Sequence, residues 1–263
     1  MSHAAAPERV PLMGLALDRL THGETVALVL DELEAGRGGW LATANLDQLR
    51  LVNRSPELRD LLDAADIVVA DGMPLVWATR LMGDPLPERV AGSDLLWSLS
   101  AAAAAAGRSI HLIGGAGAAG ERAAAILRAR NPGLRECRHL PLPMGYEPAA
   151  SRQVESVRVA IEAAAPDIVL IGLGFPKQER LIAALHDHFP RAWFVGVGIS
   201  FSFVAGEVRR APAWMHALGL EWAHRLIQEP RRLARRYLVH GIPFGIRLLL
   251  HSVARRLRYM RRA

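Results

Sequence analysis

Polar residues that can accept or donate protons follow two apolar runs early in the chain. Thr43 and Asn45 close the run that starts at Trp40, while Asp71 follows Ile67–Ala70 and precedes a glycine. An ionised carboxylate at such a strand end can take a proton from a hydroxyl as a general base. Aspartate before glycine is also a common turn residue, so residue type alone leaves both roles open.

A glycine-rich turn, Gly115-x-Gly117-x-x-Gly120, separates a predicted strand from a predicted helix. In that geometry backbone N–H groups and a helix N-terminus can hold a phosphate. A dinucleotide site also needs an acidic residue at the end of the next strand, and the only nearby acid, Glu136, comes too early in that strand. The turn is interpreted as a diphosphate site or as tight strand-to-helix packing. A Rossmann oxidoreductase that uses NAD is the disfavoured alternative.

A second glycine turn, around Gly174, directly precedes Gln178 and Glu179. Two glycine turns that follow parallel strands can face one ligand at the carboxyl edge of a sheet. The two polar side chains also fall in the first turn of a predicted helix, where they can cap it and complement its dipole. Spacing alone favours the capping role.

No pattern of metal ligands stands out in the sequence. The chain has one cysteine, Cys137, and its ten histidines are scattered. Neither a His-x-x-His nor an Asp-x-Asp arrangement occurs, so a bound metal has little support. A single cysteine excludes an internal disulfide and fits a reducing compartment, and the N-terminal residues lack the pattern of a signal peptide. The sequence predicts a cytoplasmic, metal-independent protein without a cofactor.

Apolar runs alternate with helical patterns and so position these residues. Strands are predicted at 40–44, 67–70, 109–113, 134–140, 168–172 and 192–197, with helices between them. Ser55 and the pair Ser93 and Asp94 are predicted to cap two of the helices. This order predicts an α/β fold with a Rossmann-like parallel sheet flanked by helices. Three parts are expected: residues 1–106 with Asp71, residues 107–205 with the glycine turns, and a basic, largely helical C-terminal appendage, residues 206–263.

Positive charge is concentrated in the appendage. Residues 231–263 hold ten arginines and no acidic residue, whereas the whole chain carries +6, so the first 230 residues carry about −4. Apolar residues lie between the arginines, and this combination favours an anionic membrane surface. A non-enzymatic nucleic-acid-binding protein is the alternative, disfavoured because few of these apolar residues are aromatic. No run reaches the ~18 apolar residues of a membrane span, because glycine, proline and arginine interrupt residues 238–250.

Eight short blocks carry a resemblance to a known family. They are 43–45 (TAN), 70–77 (ADGMPLVW), 87–94 (PERVAGSD), 172–179 (GLGFPKQE), 196–198 (GVG), 210–214 (RAPAW), 219–222 (GLEW) and 228–232 (QEPRR). In their order and number they resemble the WecG/TagA/CpsF group of bacterial glycosyltransferases, glycosyltransferase family 26. The resemblance runs from about Thr43 to Tyr237.

The resemblance implies an inverting, metal-independent enzyme that moves a sugar from a UDP-sugar to a polyprenyl-diphosphate-linked acceptor. The sugar would be N-acetylmannosamine, its uronic acid or glucose, used in bacterial cell-surface polysaccharide synthesis. By likeness, Asp71 is the general base, Thr43 and Asn45 are polar residues beside it, and Gln178 and Glu179 close the donor pocket. In this family the appendage contacts the inner face of the cell membrane and helps to complete the site, and the enzymes tend to form homo-oligomers.

One block departs from the family pattern. The Gly-Val-Gly strand is usually followed by Phe-Asp-Phe, and here Phe201-Ser202-Phe203 stands in that place. The lost carboxylate removes a possible contact to the sugar or signals a different donor.

Positive charge is needed near the leaving diphosphate if no metal ion is present. The turn from Gly115 to Gly120 can supply N–H donors at a helix start. Arginines can supply the charge, since their planar fork binds phosphate in a bidentate way. The candidates are Arg89, Arg210, Arg225 and Arg232.

Deleting residues 231–263 is expected to abolish cosedimentation with anionic liposomes, because each basic residue near such a surface contributes about 1 kcal/mol at best. The full-length and truncated proteins would be compared in one sedimentation series. Undiminished sedimentation of the truncated protein would remove this segment as the anchor.

Overall fold

A six-stranded parallel sheet and a small antiparallel hairpin form the β-structure of the chain. The structure, a computed structural model, describes residues 7–143, 145–148, 151–212, 214–215 and 219–261. The hairpin strands are β1 (Arg9–Leu12) and β2 (Leu15–Asp18). The sheet strands are β3 (Gly39–Ala44), β4 (Ile67–Ala70), β5 (Ser109–Gly114), β6 (Glu136–Leu140), β7 (Ile168–Gly172) and β8 (Trp193–Gly196). The sheet has the order β4-β3-β8-β7-β5-β6, which confirms the predicted α/β class.

Helices cover both faces of this sheet. In the body of the chain they are α1 (His22–Glu34), α2 (Leu46–Val52), α3 (Pro56–Asp63), α4 (Met73–Met82), α5 (Gly92–Ala105), α6 (Ala119–Arg130), α7 (Ser151–Ala164), α8 (Lys177–Leu185) and α9 (Ser200–Val204), with a 3₁₀ turn at His186–His188. In the appendage they are α10 (Glu221–Gln228), α11 (Pro230–Ala234), a π-helical turn (Arg235–Gly241) and α12 (Ile242–Met260).

The inner strands of the sheet are mostly apolar because both of their faces are buried, whereas the edge strand β6 carries Glu136 and Arg138. Trp40 and Phe194 belong to the core on one face, and Leu41 and Val195, their neighbours in sequence, belong to the core on the other. Strands on both sides of residue 106 contribute to each core. The sheet is therefore continuous across the predicted boundary between the first two parts.

The N-terminal hairpin was not predicted from the sequence. Met13 and Gly14 connect its two short strands with positive φ at both positions, which is the geometry of a tight hairpin turn. Asp18 at its end is buried, and its carboxylate accepts a hydrogen bond of 2.6 Å from the Val68 N–H on the outer edge of the sheet. Arg9 pairs with the same carboxylate at 2.9 Å. The hairpin thus covers the β4 edge, which would otherwise present unpaired backbone groups.

Helix starts agree with the sequence prediction at one position and differ at another. The Ser55 hydroxyl accepts a hydrogen bond from the Leu58 N–H and caps α3 as predicted. The prediction that Ser93 and Asp94 cap α5 is wrong. The helix begins at Gly92, so Ser93 and Asp94 lie inside its first turn. The residue at the cap position is Ala91, whose side chain cannot accept a hydrogen bond.

The appendage packs on the body through one face of α12. Phe244, Leu248 and Ser252 recur every four residues and are buried on that face. The Arg255 guanidinium also donates a 2.7 Å hydrogen bond to the Pro11 carbonyl of the hairpin. Truncation at residue 231 would therefore remove core packing as well as charge, so the liposome experiment needs circular dichroism of the truncated protein beside it.

An exposed apolar stripe runs along α12 on the side opposite Phe244 and Leu248. Its members are exposed and recur every three or four residues: Ile242, Ile246, Leu250, Val253, Leu257 and Met260. Because this stripe adds to the buried one, the helical stretch Pro230–Met260 is long and apolar enough, by length and composition, to cross a membrane. The sequence prediction of no such segment is corrected on that point, since one helical stretch forms through the glycine and proline that were taken as interruptions.

Leu248→Ala is expected to lower the free energy of unfolding by about 2–5 kcal/mol, because a fully buried side chain leaves a cavity. Leu250→Ala is the matched control on the exposed stripe of the same helix, with an expected change within about 0.5 kcal/mol. Urea unfolding followed by tryptophan fluorescence measures both. Equal stabilities of the two variants would contradict the packing of α12 on the body.

Candidate active site

A cleft of about 640 Å³ lies at the carboxyl edge of the sheet. The strands are all parallel, so the residues that follow them meet at this edge. Five residues that follow five different strands line the cleft: Asn45, Asp71, Gly115, Gly174 and Gly198. Residues of the appendage complete the lining, among them Glu221, Arg225, Arg232, Arg236 and Tyr237.

Asp71 is held at the cleft by its own backbone and by the start of α5. Its N–H donates to the Ala44 carbonyl at 2.8 Å, which continues the pairing of β4 with β3. Burial raises the pKa of the Asp71 carboxyl to about 6; the Arg89 guanidinium and a hydrogen bond from the Gly92 N–H oppose the rise, and Glu221 adds to it. The carboxyl is therefore mostly ionised at neutral pH and basic enough to accept a proton.

Arg89 connects the carboxylates around Asp71. Its guanidinium lies 3.9 Å from the Asp71 carboxylate, 3.0 Å from Asp94 and 2.9 Å from Glu221. Glu221 belongs to α10, so this arginine also joins the appendage to the body. Arg210, predicted to bind substrate, does not line the cleft; it pairs with Asp94 and donates to the Ser93 hydroxyl at 3.1 Å.

Thr43 and Asn45 both line the cleft, and both already bond to the protein. The Thr43 hydroxyl donates to the Gly196 carbonyl at 3.3 Å and so links β3 to β8. The Asn45 side-chain oxygen accepts from the N–H groups of Asp47 and Gln48 and caps α2. These bonds fix both side chains at the ends of strands next to Asp71.

The glycines of the first turn differ in role. Gly115 lines the cleft with φ +94°, whereas Gly117 and Gly120 are not among the lining residues. A Cβ at Gly120 would lie 2.1 Å from His139 Nε2 and 2.6 Å from the Gly114 carbonyl oxygen. Gly120 therefore fits the packing alternative, and Gly115 is the member of this turn placed to meet a ligand.

Gln178 holds the two other glycine turns together. Its side-chain oxygen accepts hydrogen bonds from the Gly174 N–H at 3.1 Å and the Gly198 N–H at 3.0 Å. Its amide nitrogen donates to Glu179 Oε1 at 2.9 Å. Glu179 is buried outside the cleft lining, and burial raises the pKa of its carboxyl to about 7. Glu179 orients Gln178 and does not itself face the ligand space.

Three arginines of the appendage face the cleft. Arg225 belongs to α10, Arg232 to α11 and Arg236 to the π-helical turn, and all three side chains line the cleft. Among the described residues, nothing accepts a hydrogen bond from the buried Nε of Arg225. Arg236, which sequence analysis did not place at the site, pairs with Asp47 at 2.8 Å, and its place in the run of tail arginines was the signal that could have found it.

Ser202 lies in the cleft lining at the position where the family pattern has an aspartate. It is buried, and its hydroxyl donates to the Glu207 carboxylate at 3.4 Å. A carboxylate is therefore still present beside this position, supplied by the following turn and not by α9 itself.

A carboxylate of raised pKa, glycine turns and arginines surround one cleft, an arrangement that suits a ligand carrying phosphate. Residues 10–258 match the family model described as Glycosyl transferase WecG/TagA/CpsF family, and the chain belongs to this family. It is a glycosyltransferase, as the eight sequence blocks indicated. It is 31% identical over 203 residues, 77% of this chain and 76% of the relative, to the N-acetylglucosaminyldiphosphoundecaprenol N-acetyl-beta-D-mannosaminyltransferase of Bacillus spizizenii.

Asp71→Asn is expected to stabilise the fold at pH 8 by about 1–2 kcal/mol, since the variant avoids ionising a partly buried carboxyl. The folded pKa of Asp71 lies above its ordinary value, so the cost is absent below about pH 4 and complete above about pH 6. Arg89 keeps Asp94 and Glu221 as partners in the variant. Urea unfolding of both proteins at pH 4 and pH 8 measures the difference, and a variant less stable than wild type at pH 8 would contradict the assignment.

Proposed function

We propose that this glycosyltransferase moves a sugar from a UDP-sugar to a hydroxyl of a polyprenyl-diphosphate-linked saccharide, with inversion and without a metal ion. The observation that carries the proposal is the position of Asp71 in a cleft shared with glycine turns and appendage arginines. The name of the Bacillus relative specifies a lipid diphosphate acceptor and a β-linked product. Transfer from an α-linked nucleotide sugar to a β-linked product inverts the anomeric carbon.

The reaction is a direct displacement. Asp71 accepts the proton of the acceptor hydroxyl while the oxygen of that hydroxyl forms a bond to the anomeric carbon. The bond from that carbon to the diphosphate oxygen breaks, and its electron pair leaves with UDP. Inversion follows because the hydroxyl attacks from the side opposite the leaving group. The pKa of about 6 suits Asp71 to this step at neutral pH.

Negative charge that develops on the leaving diphosphate needs donors already in place. The backbone of Gly115 and the guanidinium groups of Arg225 and Arg232 line the same cleft as Asp71. The unpaired Nε of Arg225 is a donor that a phosphate oxygen would satisfy. Because two of the three groups belong to the appendage, the proposed site is complete only when the appendage is docked.

We place the enzyme at the cytoplasmic face of the membrane as a peripheral protein. The exposed stripe of α12 and the arginines on its flanks suit an anionic lipid surface. Crossing the bilayer would require α12 to leave the body and to lose the packing of Phe244 and Leu248. If α12 lies on the membrane surface, one apolar stripe stays packed on the body and the other contacts lipid.

Purified protein is expected to add one sugar to a short-prenyl diphosphate-linked N-acetylglucosamine when it is given a suitable member of a panel of UDP-sugars, in the presence of EDTA. Asp71→Asn is expected to lower turnover by at least about a hundredfold, because the general base is lost. Mass spectrometry detects the product, and the one-bond coupling between the anomeric carbon and its proton gives the configuration. The value of kcat/KM should fall below about pH 6 as Asp71 becomes protonated.

Asp187→Asn, which changes an exposed carboxylate far along the chain, is the matched control and should keep wild-type turnover. Turnover of Asp71→Asn close to wild type would remove Asp71 as the base. Loss of activity with EDTA that a divalent metal ion restores would overturn the metal-independent mechanism.

A further inference from the structure

Three apolar side chains belong both to the cleft lining and to the exposed surface. They are Trp77 on α4 and Ile242 and Ile246 on α12. Large apolar residues at the mouth of a charged cleft are costly to leave in water, and a contiguous group of them marks a contact surface. The mouth of the cleft between α4 and α12 is therefore apolar, although its interior holds arginines and carboxylates.

Two glycines keep this mouth open on the side of α12. Gly241 and Gly245 lie one helical turn apart and both line the cleft, followed by Leu249 one turn further. A Cβ at Gly245 would make only ordinary contact with Leu46, at 3.5 Å, so packing does not demand a glycine there. The missing side chains leave a furrow between α12 and the body.

The furrow joins two chemically different regions. At its inner end Arg236 lines the cleft, about two turns before Ile242. At its outer end lies Ile246, beyond which the next members of the exposed stripe, Leu250 and Val253, are outside the cleft lining. A ligand that fits this course has an anionic group at one end and a long hydrocarbon chain at the other.

We propose that the furrow binds the first isoprene units of the lipid acceptor and leads its chain from the cleft to the membrane. This inference rests on the proposed function, which supplies an acceptor with a diphosphate joined to a polyprenyl chain. The acceptor diphosphate would lie at Arg236, apart from the UDP diphosphate at Arg225 and Arg232, and the prenyl chain would pass between Trp77 and Ile246 over Gly245. The enzyme would then recognise the lipid part of its acceptor directly, in addition to holding the membrane nearby.

The test measures kcat/KM, in buffer without detergent, for two acceptors that carry the same sugar diphosphate. One acceptor has a short water-soluble prenyl chain, and the other has a methyl group in its place. Wild type is expected to prefer the prenyl acceptor in kcat/KM. Ile246→Ser should reduce this preference by about fivefold or more, because apolar burial against the chain is lost. Gly245→Leu should reduce it further by filling the furrow.

Leu250→Ser is the matched control, since Leu250 is 66% exposed and Ile246 56% exposed, one turn apart, but only Ile246 lines the cleft. Leu250→Ser should keep the wild-type preference. The proposed prenyl site would be wrong if both serine variants lost the prenyl preference equally, or if neither Ile246→Ser nor Gly245→Leu lost it. Either result would leave the proposed transferase activity unaffected. Absence of transfer to either acceptor by wild type would instead remove the proposed function and this inference with it.

Discussion

The pKa of the Asp71 carboxyl depends on two opposing effects, burial in the cleft and one guanidinium. Burial raises the pKa, and Arg89, 3.9 Å away, opposes the rise. Arg89 is in turn held by Asp94 and by Glu221, and Glu221 comes from the appendage. The charge state of the proposed base is therefore coupled to the docking of a segment more than a hundred residues away in sequence.

Sequence reasoning located the cleft because parallel strands end at one edge. Asn45, Asp71 and Gly174 each follow an apolar run, and that order was sufficient to bring them together. Sequence reasoning could not distinguish the residues of a motif that line the cleft from those that do not. Gly120 and Glu179 share motifs with cleft residues, yet one packs against His139 and the other is buried behind Gln178. Which way a side chain turns from a loop depends on tertiary contacts that spacing does not encode.

Amino-acid composition alone does not distinguish the two apolar faces of the appendage helix α12. One face of α12 is apolar because it enters the core, and the opposite face is apolar although it is exposed. A hydropathy average adds the two faces and gives the value of a membrane span. Only the packing against α4 separates them. Arg232 and Arg236 reach the cleft from the turns that precede α12, where Arg236 pairs with Asp47 of α2, so the segment that meets the proposed lipid surface also supplies charge to the site.

The two outer edges of the sheet differ in how they disfavour further strands. The Asp18 carboxylate accepts a hydrogen bond from the Val68 N–H on one side, and the hairpin lies over that edge. On the other side β6 carries Glu136 and Arg138, charges that disfavour edge-to-edge pairing. Pairing between the sheets of two copies is therefore disfavoured at both edges. A homo-oligomer of this chain is then expected to use the outer faces of helices, and not backbone hydrogen bonds between strands.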